Sequence, residues 1–161
     1  MPTGLPAGSI TARLMEVKST VWTEVVAALP GTVVPQPPAS ESSLIRCATV
    51  LGQPLPRDLA ALLRESNGIE GEYGDGLVWS ADRIASENQT LREDTGLAAL
   101  YMPFDPLLFF ADAGNGDLLA LLSRIGRPDV FAWNHEDDSR TWVAPSLAKY
   151  IEWRLTGQIE L

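Results

Sequence analysis

The chain has one cysteine and one histidine in 161 residues. A single thiol excludes an intrachain disulfide and a multi-thiolate metal framework. Cys47 and His135 together also fall short of the four Cys or His ligands of structural zinc. No hydrophobic run approaches the roughly 20 residues of a membrane span. The opening MPTGLPAGSITARLMEVKST lacks the continuous apolar core of a secretory signal, so the expectation is a soluble, unexported protein of the reducing cytoplasm. Positive charge is scarce as well: 12 Lys and Arg stand against 21 Asp and Glu, for a formal net charge of −9. Nucleic acid and anionic lipid would be repelled by such a surface, whereas a basic protein partner would be drawn to it. The same acidity also serves solubility.

What is present points to one globular unit. Hydrophobic residues make up 45% of the chain, five of them Trp, enough for one buried core at this length. Residues 1–18 mix Pro, Gly, Ser and Thr without a sustained period and read as a flexible leader, leaving residues 19–161 as a single domain. Val21, Trp22, Val25, Val26 and Leu29 recur at helical spacing, with Thr20 as N-cap and Pro30-Gly31 as the stop. The prolines of TVVPQPPAS then hold the chain extended.

Ser40 can cap a second helix carrying Leu44, Ile45, Ala48 and Leu51 and ending at Gly52. In LPRDLAALLRESNG, Pro56 opens a helix, Leu59, Leu62 and Leu63 form its stripe, and Asn67-Gly68 supplies a left-handed stop. A short strand around Leu77–Trp79 leads to a helix capped by Ser80, with Ile84, Asn88 and Leu91 on its inner face. A buried amide at Asn88 needs a hydrogen-bond partner, expected in the backbone of a neighbouring loop. Beyond it, LLFFA, LLALL and VFAW are short apolar runs separated by the turn formers DAGNGD and SRIGRPD, the spacing of an antiparallel meander. Leu147, Tyr150, Ile151 and Leu155 mark a last helix, ended by Gly157. Helices, then strands, then a helix, with no repeated βαβ unit, predict an α+β fold: helices packed on a small, mostly antiparallel sheet.

In order and spacing these segments resemble the SMI1/KNR4 superfamily, also called SUKH, from about Trp22 to Leu155. The parts are an opening helix, a Pro-containing connector, a helix ending in LGQPLP, LPRDLAALLRESNG, LVWSADRIASEN, the FFADAGNGDLLALL hairpin, VFAWNHED and VAPSLAKYIEW. One departure is visible: Ala48 stands where relatives usually carry an acid. The resemblance implies an α+β domain without known catalytic machinery. Many bacterial relatives are immunity proteins that neutralise toxins of contact-dependent or polymorphic systems, and others are regulatory scaffolds.

The residues themselves offer little to chemistry. In WNHEDDSRTW, alternate side chains of a continuing strand would send His135 and Asp137 away from Glu136 and Asp138, so no metal site converges; the segment is expected to join the last strand to the last helix. DAGNGD lacks the alternating oxygen ligands of a calcium loop and reads as a hairpin turn, across which Asp112 and Asp117 can be neighbours. No Gly-x-Ser-x-Gly elbow accompanies His135, and the carboxylates of GIEGEYGDG would repel a phosphate. Cys47 reads as a partly buried, inert thiol. Trp22, Trp79 and Trp133 are expected in the core, while Trp142 and Trp153 are partly exposed.

The resemblance, taken with the acidity, implies a non-enzymatic immunity protein without cofactor or metal, occluding the active site of a toxin domain, with a basic nuclease as one candidate, and touching neither nucleic acid nor membrane. The residues expected to meet that partner are Glu70, Glu72 and Asp75; Asp112 and Asp117; Glu136, Asp137 and Asp138; and Trp142. A reversible regulatory module, or a carboxylate hydrolase, are the competing readings.

Overall fold

A computed structural model describes residues 22–161. The leader at 1–18 and the Thr20 cap lie outside the described residues. Helix α1 covers 22–27 within them; Trp22 is buried, and Val25, Val26 and Leu29 pack against the core.

The Pro-rich connector runs extended and contributes strand β1, Val34–Pro35. Helix α2, Glu41–Leu51, begins where the Ser40 hydroxyl accepts the Ser43 N–H and stops at Gly52, whose φ of 68° makes the left-handed turn. It buries Leu44, Cys47 and Leu51; Ile45 and Ala48 lie off that face, Ile45 exposed and Ala48 half-buried. Helix α3, Arg57–Glu65, buries Leu59, Leu62 and Leu63 as the spacing requires.

The stop after α3 works differently from the sequence reading. The helix closes at Glu65, and Gly68, at φ 95°, turns the chain into strand β2, Ile69–Glu70. A Cβ on Gly68 would meet Ser80 N and Val78 O at 3.0 Å, so both the conformation and the close backbone approach demand glycine. Asn67 instead accepts the Ala81 N–H at 2.9 Å and so helps to cap the helix that follows.

Strand β3, Gly76–Val78, pairs antiparallel with β2, which pairs with β1, giving a three-stranded sheet. Helix α4, Ala81–Glu93, starts at Ser80, whose hydroxyl accepts from Arg83 N. A six-residue helix, α5 at Thr95–Leu100, follows. Strands β4 (Leu107–Asp112), β5 (Leu118–Leu122), β6 (Val130–Trp133) and β7 (Arg140–Ala144) form the expected antiparallel meander, in that order. The two sheets adjoin through a bond from Trp79 N to Phe110 O at 2.7 Å.

Two expectations need correction. WNHEDDSRTW joins β6 to a further strand, β7, and does not lead to the last helix; residues 134–139 are a tight turn closed by Asp138 N to Asn134 O and Asn134 N to Ser139 O. And Asn88, fully buried, bonds to strand rather than loop. Its amide donates to Phe109 O at 2.8 Å and accepts from Phe109 N at 2.9 Å, taking the place of a neighbouring strand beside the β4 bulge.

Helix α6, Leu147–Leu155, buries Leu147, Tyr150 and Ile151. Tyr150 meets Phe110 edge to face and donates its hydroxyl to Leu77 O, so α6 locks both sheets together. Phe104, Phe109 and Trp133 form a second aromatic cluster. The architecture is α+β, and Trp22, Trp79 and Trp133 all lie in the core.

Candidate functional site

Antiparallel pairing sends the 113–117 turn and the 134–139 turn to the same end of the four-stranded sheet, and the 123–129 loop to the other. The 71–75 loop joins the first group. A Cβ on Gly114 would lie 3.6 Å from Asp75 Cβ, and Gly76 N donates to Asp112 Oδ2 at 3.1 Å. On the other side, His135 Nδ1 stands 2.7 Å from Asp117 Oδ1, and His135 N donates to the same oxygen. The three acidic loops therefore form one continuous end.

Within it the carboxylates divide in two. Asp75 accepts from Arg154 Nη2 at 2.6 Å, and Arg154 also donates to Asp112 O and to the Tyr150 hydroxyl. Asp112 accepts from Trp79 Nε1 at 2.7 Å and pairs with Arg83 at 3.2 Å. Asp138 is buried, with φ 62°, and accepts from Trp133 Nε1, Met102 N and Arg140. Burial pushes its pKa up, but those bonds and the Arg140 charge outweigh burial and hold it below the ordinary aspartate range. These acids, with Asp117, brace the loops.

Glu70, Glu72 and Glu136 have no side-chain bond among the described residues, and all three are exposed, as is Asp137. The Asp137 carboxylate is kept low by bonds from Ser139. Asp112 and Asp117 do not act as a pair: their partners lie on opposite sides of the hairpin, β3 and α4 for one, the 134–139 turn for the other. Among the described residues, no three His, Cys, Asp or Glu side chains are placed to share a metal ion.

Apolar groups stand among these acids, and the sequence reading did not find them. Tyr73, at the tip of the first loop, is 89% exposed. Leu100 and Met102 are exposed beside the 134–139 turn, where the Tyr101 hydroxyl donates to His135 O at 2.7 Å. The signal for Tyr73 was an aromatic residue inside a Gly-rich acidic loop with no apolar partner in phase. Trp142 is 48% exposed but faces away from this end: its indole donates to Asp129 in the far loop and meets Trp153 edge to face.

This end is negative at its rim, braced beneath by paired acids, and carries an exposed aromatic on its first loop. The profile of the SMI1 / KNR4 family (SUKH-1) matches residues 38–153. The chain belongs to the SMI1/KNR4 family. The match takes in α2 to α5, β2 to β7 and all but the last two residues of α6, leaving α1 and β1 outside. No curated protein sequence matches the chain. Among the described residues, no helix of this SMI1/KNR4 member is long and apolar enough to cross a membrane.

Proposed function

We propose that this SMI1/KNR4 protein is a cytoplasmic immunity protein whose acidic end covers the active site of a cognate toxin domain without making or breaking a bond. The observation that carries the reading is the meeting of three acidic loops at one end of the molecule, the first of them carrying exposed Tyr73, in a member of this family. Glu70, Glu72, Glu136 and Asp137 supply charge; Asp75, Asp112, Asp117 and Asp138 hold the loops in shape; Trp142, turned toward the far loop, stands outside this contact.

A basic nuclease suits this surface. Carboxylates would occupy the positions of substrate phosphates and speed encounter, while Tyr73 and Met102 desolvate and slow release. About 800 Å² on each partner is enough for tight binding when the centre is well packed.

The test is purification of the full chain from its native cells, with mass spectrometry of what accompanies it, followed by co-expression with any toxin domain found. Rescue of toxin-expressing cells supports the reading. A chain that neither protects nor copurifies with a toxin is not an immunity protein, and a harmless partner whose activity it modulates would mark a regulatory module instead.

A further inference from the structure

Ten of the twelve Lys and Arg residues, all but Arg13 and Lys18, fall among the described residues. Seven of them have a carboxylate within 4.0 Å: Arg46, Arg64, Arg83, Arg127, Arg140, Lys149 and Arg154. The other three, Arg57, Arg92 and Arg124, gather in one place, at the end of the sheet opposite the acidic loops. In a chain with a net charge of −9, partners are plentiful, so three unpaired guanidiniums at one corner call for an explanation.

Arg57 and Arg124 line a cavity of about 600 Å³ between the start of α3 and the 123–129 loop, with Arg127 beside them. Arg57 makes no hydrogen bond or ion pair among the described residues. Arg124 is held in place: its Nε donates to Gln53 Oε1 at 3.1 Å, and Ser123 Oγ donates to the same oxygen. Its backbone has φ 69°, a left-handed conformation that costs energy in any residue with a Cβ. Arg92 lies just behind, donating to Leu51 O and Leu107 O; burial lowers its pKa, with the Asp105 charge opposing and the Arg124 charge adding to the fall.

Leu121, Leu122, Leu147 and Pro128 belong to the apolar part of the lining, and Asp58 is the one carboxylate on it. Pro56 gives α3 no side-chain cap, so the first N–H groups of that helix add to the positive field.

We propose that this cavity binds a small organic phosphate, the phosphate between Arg57 and Arg124 and the organic body against Leu122, Leu147 and Pro128. Guanidinium forks match phosphate oxygens, and Arg57 and Arg124 together suit a dianion better than a single carboxylate, Arg127 being already paired with Asp129. The volume falls in the range of small-molecule sites and exceeds what inorganic phosphate alone would fill. The site is remote from the acidic end, so it stands or falls independently of the immunity reading.

The test is calorimetric titration of the full chain with AMP, glucose 6-phosphate, inorganic phosphate, adenosine and acetate. Saturable, salt-sensitive binding is expected for AMP or glucose 6-phosphate, weaker for inorganic phosphate, and none for adenosine or acetate. Arg57→Gln and Arg124→Gln should each weaken it about tenfold, the loss of one charge-assisted contact, and Arg46→Gln should leave it unchanged. Arg57 and Arg124 are exposed, and unaltered thermal unfolding of the variants would show that they remain folded. The proposal is overturned if neither organic phosphate binds, if acetate binds as well as they do, or if both glutamine variants bind like the parent.

Discussion

Asp112, at the end of β4, accepts the indole N–H of Trp79 at 2.7 Å, and Trp79 immediately precedes the capping serine of α4. The same carboxylate oxygen accepts Gly76 N and pairs with Arg83. One acid thus ties the hairpin, the first acidic loop and a helix start together. Its side chain is mostly buried, so Asp112→Ala strands a buried indole N–H and a backbone N–H. The expected cost is about 2–3 kcal/mol in urea unfolding at neutral pH. Glu72→Gln, on an exposed side chain with no such partners, should change stability by less than about 0.5 kcal/mol.

Asn88 is the second place where a polar side chain holds the fold. Replacing it by Leu keeps the branching but adds bulk, and leaves Phe109 N–H and C=O without their partner in the interior. A loss of about 2–4 kcal/mol is expected in urea unfolding, with hydrogen exchange at the Phe109 amide accelerated to match. Asn88→Asp should be no better, since a carboxylate cannot donate to Phe109 O and is costly to bury.

The contrast between these two residues and the rest of the fold explains what the sequence could reveal. Helices α2, α3, α4 and α6 were legible because each repeats its apolar residues at helical spacing behind a recognisable start: Ser40 and Ser80 cap as their residue type predicts. The meander was legible from turn formers between apolar runs. Strand β7 was not, because Thr141 and Trp142 face solvent and Pro145-Ser146 directly follows, so RTWVA looks like the approach to a helix. Strands β1 and β2, at two residues each, are too short to show any period, and α5 makes under two turns. The acidic residues of the site were legible as a set, but their division was not. Asp75 and Asp112 brace the loops while Glu70 and Glu72 stay free only because Arg154, Arg83 and Trp79 arrive from distant parts of the chain.

Acid should unfold the protein partly through Asp138. Its folded pKa lies below the ordinary value of 3.8, so its stabilising contribution is present above that value and is lost as pH falls through the folded one. Urea midpoints measured from pH 6 down to pH 2 should fall most steeply below about pH 4. In Asp138→Asn that part of the fall should flatten, with a lower plateau at neutral pH because the Arg140 charge loses its partner.

The alkaline limb has the opposite sign. Burial pushes the Tyr150 hydroxyl up to about 12 and the Cys47 thiol up to about 11, in each case above the unfolded value. Both groups stabilise the fold fully below their unfolded pKa values, and the contribution drains away as pH rises toward the folded ones. Urea unfolding should therefore show lower stability at pH 11 than at pH 8, and Cys47→Ala should reduce the difference. At neutral pH the buried Cys47 thiol stays protonated and should react with a disulfide reagent only after urea is added.

Tyr73 separates a binding role from a structural one. It is almost wholly in solvent at the tip of the first acidic loop, so Tyr73→Ala should leave the thermal midpoint unchanged. If the acidic end meets a basic toxin domain, the same variant should weaken the complex by about 1–3 kcal/mol, seen chiefly as faster dissociation, because a desolvated aromatic anchor is lost. Glu72→Lys at the neighbouring position should act on the other rate, slowing association and making it less dependent on salt. Surface plasmon resonance across a range of ionic strengths distinguishes the two. Equal association and dissociation rates for the parent and both variants would place the contact elsewhere on the molecule.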